Sequence, residues 1–179
     1  MTLATRKLVL FGALGALMIG LDQWTKVLAR EVLAPLSPWQ TRTVIDGFFK
    51  LRYSENTGVA FGMLQTIPGG RILLTLVAAA AFVLVLYYLR RTDDRDVRMQ
   101  AALGLVGGGA IGNLVDRVLY GRVTDFIVWY VGKHEWPAFN IADAALVAGV
   151  ALMAIDMLRP RAGAAPSPRA DREEGLGRR

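Results

Sequence analysis

The chain has 179 residues, 54% of them hydrophobic, and a formal net charge of +6. It contains no cysteine and a single histidine, which excludes thiol nucleophiles and disulfides and leaves little basis for a zinc site. Apolar runs of near-spanning length recur four times, more than one small soluble domain can bury, so a polytopic membrane protein is expected.

The first predicted span covers about residues 8–28 and follows Arg6-Lys7. A basic pair before an apolar run also describes a cleavable signal peptide. Gly20-Leu21 leads straight into Asp22-Gln23 without a convincing cleavage site, so an uncut anchor helix is expected. A long loop follows. Within it, TVIDGFFKLRYSENTGVAFGML carries short apolar and aromatic stretches set off by Asp46-Gly47 and Asn56-Thr57-Gly58. That pattern predicts a small β patch over about residues 38–65.

The second span, about 70–89, contains the uncharged run Ile72–Leu89. The third, about 98–117, sets Gly104, Gly108 and Gly112 four apart, a small-residue face that lets helices approach closely. The same helix then brings Asn113, Asp116 and Arg117 to one side near its end. A second loop, YGRVTDFIVWYVGKHEWPAF, holds Trp129, Tyr130 and Trp136, residues suited to a membrane–water interface. Its residues 123–131 fit either a strand or an interfacial helix. The fourth span, about 140–158, opens with the polar residues Asn140 and Asp143. Residues 160–179 are rich in Pro, Arg, Gly and Ala and are expected to form a disordered cytoplasmic tail, with contact to anionic lipid as its one suggested role.

The expected fold class is an all-α membrane protein: a four-transmembrane-helix bundle with a small β patch in the first outer loop. Residues 1–159 form its single domain. The basic excess follows topology rather than nucleic acid. Arg6, Lys7, Arg90, Arg91, Arg95, Arg98 and the arginines from Arg159 onward all fall on one side of a four-span chain. That is the positive-inside pattern, with both termini cytoplasmic.

Few reactive groups remain. There is no GxSxG elbow, Walker loop or HExxH. Ser54 with Lys50 or Lys26 is one nucleophilic arrangement; Ser54 with His134 and an Asp is another, though no spacing recommends it. The carboxylates are better placed. Asp22, Asp116, Asp125 and Asp143 fall near the outer ends of spans or in the adjoining loop, whereas Asp156 beside Arg159 reads as an ordinary snorkelling pair. If the fourth span starts near Asn140, Asp143 lies about 5 Å inside it. It can be a helix-terminal group, with Asn140 as the cap and the helix dipole favouring the carboxylate.

It can also be reactive. Asp125 returns to the same membrane face, and two carboxylates held together in a low-dielectric site share a proton. The ionised one takes a proton from water while the protonated one polarises a carbonyl, which requires no metal or cofactor. Two other classes stay open: a proton-coupled transporter using intramembrane carboxylates, and a non-catalytic assembly protein. Against the first, the polar residues gather at one face of the membrane rather than across it.

Five stretches now match a known family in order: DQWTK (Asp22–Lys26), NTGVAFG (Asn56–Gly62), GNLVDR (Gly112–Arg117), GRVTDF (Gly121–Phe126) and FNIAD (Phe139–Asp143). The chain resembles lipoprotein signal peptidase, the type II signal peptidase of bacteria. The resemblance implies a cytoplasmic-membrane (inner-membrane) aspartic endopeptidase with its active site at the outer face. Such an enzyme removes the signal peptide of prolipoproteins just before a diacylglyceryl-modified Cys. It implies Asp125 and Asp143 as the catalytic pair, with Asn56, Gly58, Asn113, Arg117 and Asn140 lining or bracing the site. Asp22 and Lys26 would be structural, closing the end of span one, and Asp116 a brace. Asp143 is pictured as buried, its desolvation offset by a shared proton and nearby Asn and Arg donors. The implied partners are the lipid-modified prolipoprotein and membrane lipids, with no cofactor and no obligate protein partner.

Overall fold

The computed structural model describes residues 2–36, 40–57 and 70–158; Gly58 and the segment 160–179 lie outside the described residues. Four helices carry the fold: α1 (Leu3–Val32), α2 (Gly70–Arg91), α3 (Val97–Tyr120) and α4 (Ile141–Leu158). Each is long and apolar enough to cross a membrane. Between them lie strands β1 (Arg42–Ile45), β2 (Phe49–Asn56), β3 (Val123–Val131) and β4 (His134–Glu135).

α3 is the most buried of the four helices and packs against each of the others. Glycine makes this possible. A Cβ on Gly108 would stand 2.9 Å from the Gly15 carbonyl oxygen of α1, and one on Gly112 would stand 2.7 Å from Asp22 Oδ2. Gly104 meets Phe11 and Leu14, so the four-spaced face read from the sequence is the α1 contact. Gly109 turns toward α4, where a Cβ would meet the Ala142 carbonyl oxygen at 2.5 Å; Gly149 of α4 returns the contact against Ala102 and Val106. α2 closes the opposite end of the bundle through Val85 and Leu89 on Leu103, with Phe11, Val106 and Met153 around them. There Lys7 Nζ pairs with Asp94 at 2.6 Å and donates to the Thr92 carbonyl at 3.0 Å. Apolar side chains such as Leu17, Leu76, Val83 and Val147 remain exposed, as a lipid-facing surface requires.

The other end of the bundle carries an antiparallel sheet in the order β1-β2-β3-β4. It is larger than the first loop alone could make. β2 pairs with β3, so residues 123–131 form a strand rather than a helix, and the two loops close into one sheet. Pairing settles what composition left open, because the backbone polar groups of a segment at a membrane end need partners. Ala29 of α1 and Leu33, which caps it, pack on Phe126, Leu51, Tyr53 and Ile127, seating the sheet on the end of the helix. α1 therefore runs on through Val32, and Asp22 and Lys26 lie inside the helix rather than at its end. α3 stops at Gly121, whose φ of 67° turns the chain left-handed into β3 while its N–H bonds the Arg117 carbonyl.

Substituting Gly109→Ala should lower stability by about 1–3 kcal/mol, because the new methyl meets backbone as well as side chain. Gly12→Ala, which meets nothing within 4 Å, should change it by less than about 1 kcal/mol. Thermal melting in detergent compares the two.

Candidate active site

The site forms where β3, α3 and the start of α4 meet. Phe126 and Ile127 both donate their N–H to the Phe139 carbonyl, at 3.0 and 2.9 Å, and Phe139 N–H donates to the Ile127 carbonyl at 3.0 Å. This clamp sets Asn140 beside Asp125. Asn140 then begins α4. Its Oδ1 accepts the Asp143 N–H at 2.9 Å, and its own N–H donates to Asp143 Oδ2 at 3.2 Å. That is a reciprocal capping box with Asp in the acidic position.

The same Asn140 side chain reaches the second carboxylate. Its Nδ2 donates to Asp125 Oδ1 at 2.7 Å, with longer approaches to Asn113 Oδ1 and the Thr124 carbonyl. Asn56 Nδ2 donates to Asp125 Oδ2 at 3.1 Å. Asn113 Nδ2 donates to Asp143 Oδ1 at 2.7 Å. Every oxygen of Asp125 and Asp143 thus accepts an N–H. The capping arrangement is therefore present, and it is compatible with a carboxylate pair because the same Asn140 bonds both acids.

The two carboxylates differ in burial, and here the expectation is corrected. Asp143 is half-buried, whereas Asp125 is only 2% exposed. Asp143 sits on the first turn of a helix at the bundle's end, while Asp125 lies on β3 within the buried run Val123–Phe126. Burial first, and the Asp143 charge second, push the Asp125 carboxyl up to about 7; the hydrogen bonds from Asn56 and Asn140 and the charge of Lys26 pull the other way. Arg117 lies in the field of Asp143, Asp125 and Asp116 and donates to the Asn113 carbonyl at 3.4 Å. Among the described residues it forms no ion pair.

Beneath the pair lies a second charged group. Lys26 is fully buried, with its Nζ 2.8 Å from Asp22, 2.9 Å from Asn113 Oδ1 and 3.5 Å from Asp116. Asp22 Oδ1 accepts the Ala142 N–H of α4 at 2.9 Å, and Asp116 Oδ2 accepts the Thr124 N–H at 2.9 Å. Asp22 and Asp116 therefore tie the helices to α4 and β3 respectively. The motif spacing did not single out Gln23, which bridges Asp22, Asp116 and the Gly112 carbonyl. Nor did it single out Arg30, which reaches Thr124 and Asp116. Arg30 follows Lys26 by one helical turn, and that signal was present in the sequence.

The serine arrangements lose their partners. Lys50 binds Glu135 and lies over the Tyr130 ring, and Lys26 is held by Asp22 and Asn113. Ser54 pairs in register with Asp125, while His134 pairs with Val131 six residues further along β3, roughly 20 Å away.

The fold and site define a polytopic membrane protein that gathers two carboxylates, Asp125 and Asp143, around Asn140 at one end of its helix bundle. A family model described as Signal peptidase (SPase) II matches residues 14–159. The chain is 43% identical to a lipoprotein signal peptidase of Xanthomonas oryzae over 151 residues, covering 84% of this chain and 89% of the relative. It is 40% identical to that of Syntrophus aciditrophicus over 156 residues, covering 86% and 95%. A bacterial membrane enzyme solved by the in meso method at 1.9 Å superposes with a TM-score of 0.73 at 28% identity, covering 82% of this chain and 91% of that one. The chain belongs to the signal peptidase II family and is an aspartic endopeptidase.

Because Asp125 is raised from 3.8 to about 7, the native protein binds a proton there that the unfolded chain has already released. Stability from this group is full at low pH and is lost as pH rises through about 7. The melting temperature of the wild type should fall between pH 5 and pH 8. Asp125→Asn should flatten that fall, by an amount on the order of a few kcal/mol. Equal slopes would contradict the buried, proton-binding carboxyl.

Proposed function

We propose that the protein removes signal peptides from prolipoproteins, cutting just before a diacylglyceryl-modified Cys, with Asp125 and Asp143 as the catalytic pair. The observation that carries this reading is the Asn140 residue bonded to both carboxylates at once. It holds two acids of unequal burial on rigid elements, which is the arrangement that separates acid from base.

Asp125, the more buried group, carries the shared proton in the resting enzyme, and Asp143 is ionised. A water between them gives a proton to Asp143 as its oxygen attacks the scissile carbonyl carbon. Asp125 gives its proton to the carbonyl oxygen. The tetrahedral diol then returns a hydroxyl proton to Asp125 as the C–N bond breaks, and the leaving amine nitrogen takes the proton held by Asp143. Asn56 and Asn140 keep Asp125 oriented, Asn113 keeps Asp143 oriented, and the Arg117 guanidinium offers its free donors to substrate carbonyls. Gly58 belongs to the same site in this reading, and Asp22, Lys26 and Asp116 brace it from below.

The sheet end faces outward from the bacterial inner membrane, with both termini in the cytoplasm. The basic residues Arg6, Arg90, Arg91, Arg95 and Arg98 at the other end of the bundle support this orientation. The signal helix and its lipid enter laterally from the bilayer, and membrane lipid covers the exposed helix faces. The tail beyond residue 159 stays on the cytoplasmic side.

Purified protein is incubated with a diacylglyceryl-modified prolipoprotein, and cleavage is read by gel shift. Asp125→Asn and Asp143→Asn should each cut at least about 100-fold more slowly while melting as folded proteins. Ser54→Ala should stay within a few-fold of the wild type. Activity should also decline above about pH 7, where Asp125 loses its proton. Unchanged cleavage by either folded Asp variant removes that group from the mechanism.

A further inference from the structure

Lys26 is the most deeply buried cation in the site region, and the mechanism above does not use it as a reactant. Its ammonium has three partners: Asp22, Asp116 and Asn113 Oδ1. Only the last leads toward the carboxylate pair. An asparagine side chain has two ends of similar shape and opposite function, an acceptor oxygen and a donor NH2, and its neighbours decide which way it points. On the Asp143 side, Asn113 presents Nδ2 as a donor at 2.7 Å. On the other side, Oδ1 accepts from Lys26 at 2.9 Å and from Asn140 Nδ2 at 3.1 Å.

An ammonium can only donate. We infer that Lys26 is a positioning residue for the carboxylate pair: its charge fixes the Asn113 amide so that a donor, never an acceptor, faces Asp143. Without it, the amide can rotate and set its oxygen against Asp143. A hydrogen bond then forms only if Asp143 holds a proton. Because Asn140 Nδ2 donates to both Asn113 Oδ1 and Asp125 Oδ1, the same rotation disturbs the donor set of Asp125. The charges facing this group are Asp22 and Arg30 on its own helix, Asp116 and Arg117 on α3, Asp125 on β3 and Asp143 on α4. None of the cations among them takes the place of Lys26 at Asn113 Oδ1.

This inference rests on the carboxylate-pair reading, and its test separates the two. Removing Lys26 alone strands two buried carboxylates, so the variant of choice is Asp22→Asn/Lys26→Met, which removes one charge of each sign. It is compared with Asp22→Asn alone, using kcat/KM for the prolipoprotein from pH 5 to pH 9, with melting temperatures alongside. The expected result is that the acid limb of the double variant moves up by about one pH unit. On the acid side of that limb its kcat/KM falls by up to about tenfold relative to Asp22→Asn, and the loss disappears at pH values above the limb. A merely structural Lys26 would lower activity equally at every pH.

If the double variant does not fold, the same profile is read on Lys26→Gln and Lys26→Arg. Arg can only donate and should keep the wild-type limb; Gln can point either end at Asn113 and should shift it. Coincident limbs for each folded variant, or failure of all of them to fold, overturn the positioning role and leave Lys26 as a support for the helices. Asp125→Asn and Asp143→Asn are assayed in the same series. If they cut, the carboxylate-pair reading itself has failed; if they do not cut and the Lys26 profiles are unmoved, only the present inference has failed.

Discussion

The hydrogen bonding of Asn140 is the constraint from which the rest of the site follows. One residue starts a membrane helix, exchanges two hydrogen bonds with Asp143 and donates a third to Asp125. A helix beginning inside a membrane protein must satisfy its first N–H groups internally. Here Asn140 Oδ1 and Asp22 Oδ1 do so, at Asp143 and Ala142. The acids that cap the helix and the acids that build the site therefore belong to one network. The capping role keeps Asp143 in a single rotamer, and the clamp of Phe139 on β3 keeps Asp125 next to it.

Such a network is costly to hold in a low-dielectric setting. Lys26, Asp22 and Asp116 are all fully buried, and two anions face one fully buried cation. The balance is made up by Arg30 at 3.5 Å from Asp116 and by N–H donors from Thr124, Ala142 and Gln23. No buried side-chain polar atom lacks a partner among the described residues. A buried ion group satisfied this fully contributes geometry more than stability, because desolvation consumes most of the Coulombic gain. What it contributes here is the fixed meeting of α1, α3, α4 and β3.

Glycine sets how close those elements come. With Gly108 and Gly112 against α1 and Gly109 against α4, α3 approaches both helices near backbone contact. Asn113 then bonds Asp143 directly, and Lys26 and Gln23 join Asp22 to Asp116. The apolar seam and the polar site are two ends of one helix face. The sheet covers that end, and Trp129 packs against both Phe48 and Phe139.

The sequence by itself determined the four apolar helices, the glycine face of α3, the shortage of nucleophiles other than carboxylates, and the five motifs that carry the family. These are local signals, because hydropathy, four-residue spacing and residue type are all legible within one stretch of chain. The tertiary structure decided the rest. It made residues 123–131 a strand by pairing them with β2, placed Asp22 and Lys26 within α1 instead of at its end, and buried Asp125 more deeply than Asp143. It also turned the Asn113 amide from Lys26 toward Asp143. The strand pairing, the burial of Asp125 and the orientation of Asn113 depend on residues between 15 and 87 positions apart coming within hydrogen-bond reach. No periodicity in the chain encodes a contact of that kind; it exists only once the helices have packed and the strands have found their register.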